Sequence, residues 1–96
     1  ELRNLATSIR DRLGRGSVTV LGSRVEGKGS LIAAVSPDLV DAGVSAAELI
    51  TPAARELGGG GSRDPELAQA GGPDGSKLEK ALDLARDAAT KALSNL

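Results

Sequence analysis

Arg63 follows four consecutive glycines, Gly58 to Gly61, and stands ahead of a glycine pair, Gly71 and Gly72. A guanidinium set in glycine-rich backbone suits one task well, the holding of an anion. Exposed backbone N–H groups together with Arg or Lys grip phosphates and sugar edges. Arg24 and Lys28, in the Gly22–Gly29 stretch GSRVEGKG, are placed to add to such a surface. Arg55 is less clear-cut, because Asp and Glu residues nearby offer it an ion-pair partner. Six of the fifteen residues from 58 to 72 are glycine. Each loses more backbone freedom on folding than any other residue. Their position between helix-like segments therefore predicts an ordered loop whose bare backbone approaches something closely. A flexible connector is the plainer alternative.

Other chemistries are excluded by composition. The 96 residues contain no Phe, Trp, Tyr, Met, Cys or His. Zinc sites of the usual N/S kind and Ser-His-Asp or Cys-His nucleophiles cannot be built. Base stacking on aromatic rings is also out of reach, so any nucleic-acid contact must go through backbone and shape. Asp38 and Asp41 are three apart, but both read as turn and surface residues rather than an acid/base couple. Neither a catalytic residue nor a metal ligand is expected in this chain. The motif Gly22 to Lys28 matches G-x-x-x-x-G-K, yet Gly29 replaces the hydroxyl residue that binds Mg²⁺. A strand-like run, Leu31 to Val35, stands where a phosphate loop needs a helix.

Charge is uneven. Residues 1–35 carry six basic and three acidic residues, residues 36–76 two and seven, and residues 77–96 four and three. A basic N-terminal third can face a polyanion or simply be solvated. No apolar run approaches the ~20 residues a membrane helix needs. No signal peptide is expected, and lack of Cys fits a reducing compartment. The chain opens on Glu1 without Met, which reads as a fragment of a longer protein.

The elements that must position these residues follow from periodicity. Leu2, Leu5, Ala6, Ile9 and Leu13 predict an amphipathic helix over 2–13, stopped by Gly14 and Gly16. Ser17–Leu21 and Leu31–Val35 predict two antiparallel strands joined by a turn at Glu26-Gly27-Lys28. Pro37 ends the second strand, and Asp38 to Gly43 reads as one helical turn. Ser45 and Glu48 form a capping box, with Val44 and Leu49 as a staple. The helix that follows buries Ala46, Leu49, Ile50, Ala53 and Leu57. Pro52 is expected to kink it, or to break it and restart it with Thr51 as cap. Leu67 to Ala70 is a third strand, expected to run parallel to the second through a right-handed crossover. Ser76 and Glu79 predict a second capping box, opening a final helix over 77–93. The fold class is therefore α/β (α+β): a small mixed sheet in the order α-β-β-α-β-α, hairpin plus crossover, with helices packed on it.

From residue 35 onward the signals become specific. VSPDLVDAGVSAAELI, then GGGG, then Arg63-Asp64-Pro65-Glu66-Leu67-Ala68-Gln69-Ala70-Gly71-Gly72, then a capped helix, resembles the C-terminal globular domain of alanyl-tRNA synthetases. This is the DHH-associated type of module. The synthetases commonly carry R-P-D-M-A-Q where this chain has R-D-P-E-L-A-Q. Relatives among DHH phosphoesterases carry a His beside their glycines; Ser62 and Arg63 stand there instead, which disfavours the hydrolase branch.

The resemblance implies one domain over 1–96, a tRNA-binding accessory domain of a larger synthetase. Such a domain grips the outer corner of alanine-specific tRNA, supports aminoacylation and editing, and in several members supports a homodimer. It implies a tRNA-binding set of Gly58, Gly59, Gly60, Gly61, Arg63, Gln69, Gly71 and Gly72, with Arg24 and Lys28. It further implies a cytoplasmic parent ligase whose ATP, Mg²⁺ and Zn²⁺ sites lie in its upstream domains, with no cofactor in this fragment. Two other readings stand beside it. One is an oligomerisation module using the Ala-rich last helix. The other is a nucleotide- or phosphoester-binding module of a DHH-type protein.

Overall fold

The computed structural model describes residues 2–96. α1 spans Leu2–Leu13. β1 (Val18–Val25) and β2 (Lys28–Val35) follow as a hairpin in full antiparallel register, from Val18 opposite Val35 to Val25 opposite Lys28. Its turn is Glu26-Gly27, with φ of 53° and 78°. Two left-handed residues make a type I′ turn, whose twist matches that of the strands. α2 (Pro37–Asp41) is the expected single turn, and α3 covers Ala46–Leu57. Then come β3 (Gly60–Gly61), β4 (Leu67–Gly72), a 3-10 turn at Gly75–Lys77, and α4 (Leu78–Ser94).

The sheet order is β1-β2-β4-β3, and every neighbouring pair is antiparallel. The class and the order of the main elements are as expected, but the parallel crossover is not formed. α3 descends from Ala46, whose amide donates to the Pro65 carbonyl, to Leu57, which lies against Gly29 and Gly72. The glycine segment then climbs back along the sheet as β3 and a short tip, so β4 enters beside the end of β2. There the Val35 amide donates to the Glu66 carbonyl at 2.8 Å. One extra traverse reverses the direction of β4. A pair of glycines carries no side-chain alternation, so sequence pattern does not show the traverse.

Alternation along the strands builds two cores. Leu31, Ala33, Val35, Ala68 and Ala70 face α3 and α4, where Leu49, Ile50, Ala53, Leu57, Leu78, Ala81 and Ala85 meet them. On the opposite face Ile32 and Ala34 pack under Ala6 of α1, with Leu2, Leu21 and Leu67 at the margin. The predicted stripe of α1 is only partly used: Leu5 and Leu13 stay 53% and 61% exposed. α1 covers the Ala34 end of its face and leaves the hairpin-turn end open.

Three local expectations change. Ser45 is at the N-cap of α3, but its side chain makes no cap hydrogen bond; the Ala46 amide, which an N-cap side chain does not serve, donates to the Pro65 carbonyl. Ser76 lies in the 3-10 turn and bonds to the Asp74 carboxylate, so α4 starts at Leu78 with Lys77 before it. α3 runs through Pro52 without ending. The Thr51 hydroxyl is not a cap; it donates to the Ala47 carbonyl one turn back at 2.8 Å. Burial of the helix's apolar face outweighs the proline's local cost of about 3 kcal/mol.

Candidate nucleic-acid interface

The glycines that frame Arg63 have different jobs. Gly58 takes the left-handed conformation, φ 79°, and ends α3. At Gly59 an added Cβ would sit 1.7 Å from the Gly71 carbonyl oxygen, and at Gly72 one would sit 2.2 Å from the Leu57 carbonyl oxygen. No side chain fits at either place. Here the end of α3, the start of β3 and the end of β4 cross backbone on backbone. At Gly61 an added Cβ would meet Ile50 Cδ1 at 3.0 Å. Gly60 has open space where its Cβ would be, and Gly71 only an ordinary contact with the Gly29 carbonyl at 3.6 Å. The close approach read from the sequence is therefore made first to the domain's own backbone. Gly60 and Gly71 are the two with room to spare on their exposed side.

Arg63 sits on the tip of the β3–β4 hairpin, and that tip is ordered. Asp64 accepts hydrogen bonds from the Glu66 amide at 2.8 Å and the Leu67 amide at 3.2 Å. These two bonds hold the Asp64 carboxyl below its ordinary value, since both favour the charged form. At the base of the tip the Ser62 amide donates to the Gln69 carbonyl at 2.8 Å, and the Gln69 amide donates to Ser62 Oγ at 2.8 Å. Gln69 is thus tied by its backbone while its side chain stays exposed on the α1 face. The Ser62–Gln69 pair also sets the phase of the ladder. Its neighbours Gly61 and Ala70 must be a non-bonded pair. The Gly61 N–H and C=O accordingly turn outward at the sheet edge.

That edge opens onto a groove of about 340 Å³ between β3 and α3. Arg55 of α3 and Arg63 of the tip both line it, beside Gly59, Gly60 and Gly61, and Glu48 of α3 sets one carboxylate on its wall. Among the described residues neither arginine makes an ion pair. Arg55 therefore lacks the acidic partner that its sequence surroundings offered. The acid nearest in sequence, Glu56, is instead held by Lys80 at 3.1 Å and Lys77 at 4.0 Å. Two guanidiniums without ion pairs beside an outward backbone N–H are groups able to hold an anion, and with Glu48 they leave the groove one net positive charge. Sequence order gave little sign that Arg55 belongs there. The only available cue is phase: Ala53, Ala54 and Leu57 are buried around it, which sets Arg55 on the outer side of α3.

The hairpin cations are not part of this groove. Arg24 reaches across to the 3-10 turn, where its Nε donates to the Gly75 carbonyl at 2.7 Å. It serves as a strut. Lys28 is exposed and lines a separate shallow depression with Gly29, Ser30, Gly71 and Pro73. Gly59 borders both depressions and stands as the wall between them.

Nothing in the groove is an acid/base pair or a nucleophile with a base. No cluster of three or more potential metal ligands occurs among the described residues. Asp38 is structural: its carboxylate accepts the Gly16 amide at 3.0 Å. The Ser36 hydroxyl and that amide hold its carboxyl below the ordinary value.

A family model described as the DHHA1 domain matches residues 1–91. The chain belongs to the DHHA1 domain family. Relatives to this DHHA1 domain include an alanine–tRNA ligase of Anaeromyxobacter dehalogenans, 46% identical over 97% of this chain and 10% of the relative. One from Pelotomaculum thermopropionicum is 49% identical over 85% of this chain and 9% of the relative. The domain thus spans about a tenth of the length of these curated relatives. Its fold is similar to the crystal structure of the C-Ala domain from Aquifex aeolicus alanyl-tRNA synthetase. That similarity has a TM-score of 0.80 at 35% identity, covering 92% of this chain and 78% of the other. The DHHA1 domain corresponds to the C-terminal accessory part of such ligases.

Proposed function

We propose that this DHHA1 domain grips the outer corner of an alanine-specific tRNA for a parent alanine–tRNA ligase. The single observation behind this reading is the Arg55–Arg63 groove on an open sheet edge. Folded RNA presents phosphates at fixed spacing, and two unpaired guanidiniums beside an outward N–H are suited to hold them. The domain contributes binding and orientation, not chemistry. In such a ligase the ATP, Mg²⁺ and Zn²⁺ sites and the reacting groups belong to the upstream domains, and the setting is the cytoplasm. No helix among the described residues is long and apolar enough to cross a membrane.

The test is the salt dependence of tRNA binding. Each arginine that neutralises one phosphate adds about 0.9 to the slope of log K against log salt. Arg63→Ala should weaken binding and lower the slope by about one. An unchanged affinity and slope in a folded variant would remove the reading. The oligomerisation reading loses the feature that motivated it, since Ala81, Ala85 and Ala89 of α4 are buried in the domain's own core. No observation favours the phosphoester-binding alternative.

A further inference from the structure

The groove along β3 uses one edge of the sheet. The other edge is β1, and it carries a surface of different character. β1 pairs only with β2. The Ser36 amide donates to the Ser17 carbonyl at 3.0 Å, which makes Ser17 and Ser36 a bonded pair. Such pairs alternate with pairs whose N–H and C=O groups point away. Thr19 and Leu21 therefore bond back to β2, while Val18, Val20 and Gly22 turn their backbone groups outward. The Val35 amide, which opposes Val18, agrees with this phase: it donates to Glu66 on the far side. Natural edges are blunted by Pro, Lys or a bulge. Neither Pro nor Lys stands between Val18 and Gly22, and the register with β2 runs through eight residues without a bulge.

The same stretch floors a groove of about 710 Å³. Val18 and Val20 form its strand side, Leu82 and Leu93 of α4 its helix side, and Leu13 closes the α1 end. Leu13 is 61% and Leu93 39% exposed. Arg15 and Arg86 stand at the rim. Arg86 is paired with Asp83 at 2.8 Å, whereas Arg15 makes no ion pair within 4 Å among the described residues and acts on the Asp38 carboxylate only from further away. Val18, Val20, Leu82, Leu93 and Leu13 give the trough an apolar stripe among polar neighbours such as Ser17 and Thr90, and Arg15 and Arg86 against Asp83 leave its border one net positive charge.

The geometry points to β1 as the docking edge for an extended segment of a partner protein that alternates apolar and acidic residues, added as a fifth strand. The outward groups of Val18, Val20 and Gly22 supply the ladder. Side chains on one face of the segment enter the groove over Val18, Val20 and Leu82, and a carboxylate meets Arg15. Main-chain bonds provide affinity in this mode, and side-chain pockets provide specificity. RNA cannot continue a ladder and gains nothing from an apolar floor. A second copy would bring one arginine-bearing rim against another, so the charge favours an acidic partner.

The experiment uses the 96-residue chain and a capped heptapeptide alternating Val and Glu. At about 1 mM peptide, amide exchange at Val18, Val20 and Gly22 should slow about fivefold or more, as expected for weak strand addition. Arg15→Ala should reduce that protection, and the peptide methylated on alternate amide nitrogens should give none. Four results would overturn the proposal: no slowing at these amides in the folded protein; equal slowing with Lys in place of Glu in the peptide; slowing on concentration alone with sedimentation as a dimer; or slowing by tRNA instead of peptide.

Discussion

The Gly71 carbonyl oxygen lies 1.7 Å from the place a Cβ would occupy at Gly59. Two glycines from opposite ends of the glycine-rich segment thus meet in one backbone contact. That contact closes the β3–β4 hairpin against the end of α3 and brings Arg63 up beside Arg55. The glycines act on the groove lined by Arg55 and Arg63 by shaping it.

Gly59→Ala should therefore unfold or distort the hairpin, lowering stability by at least about 3 kcal/mol, the upper range for forced overpacking. Gly60 has open space at the same point and no left-handed φ. Gly60→Ala should change stability by less than about 1 kcal/mol. Urea midpoints of the two variants check this. Equal losses at the two positions would contradict the packing account.

Arg55 and Arg63 line one groove from two elements. If they hold neighbouring phosphates of one RNA, their tRNA-binding losses should couple. The cycle of Arg55→Ala, Arg63→Ala and the double variant should show an interaction of about 0.5 kcal/mol or more. The double variant should lower the salt slope by about two. Strict additivity would place the two arginines on separate ligands.

Arg24 makes the opposite prediction. Its Nε is committed to the Gly75 carbonyl. Arg24→Ala should cost about 1 kcal/mol in stability, the usual net worth of one hydrogen bond. The salt slope of tRNA binding should stay as it was. A drop in slope without a change in stability would return Arg24 to the RNA surface.

Acid should loosen the domain at two aspartates. Asp38 and Asp64 both sit below their ordinary value of 3.8 in the folded state. A depressed carboxyl contributes stability that is fully present above the unfolded value and is lost as pH falls through the folded one. Stability should thus be flat from neutral pH to about 4 on this account and decline below 3.8. Asp38→Asn should blunt the decline, measured as urea midpoints against pH. A decline that begins near pH 6 would point to other groups.

Composition excludes whole classes of chemistry, and residue spacing sets much of the local structure. No arrangement of these residues supplies an imidazole, a thiol or an aromatic platform. The bounds of α1, the hairpin with its turn at Glu26-Gly27, and the apolar faces of α3 and α4 follow from spacing, because period and turn chemistry act over a few residues. The Arg63–Gly72 stretch marked the family. The remaining features depend on contacts between residues far apart along the chain. β4 is antiparallel to β2 because a glycine pair without side chains climbs the sheet first. The Ala46 amide at the start of α3 finds its partner in the Pro65 carbonyl of a distant loop, while Ser45 holds the cap position without a side-chain bond. Arg24 is bonded to the Gly75 carbonyl and Arg55 is left without an ion pair among the described residues for a similar reason. Whether a cation is a strut or a free hand depends on which carbonyl or carboxylate the fold brings within reach, and those partners lie far away along the chain.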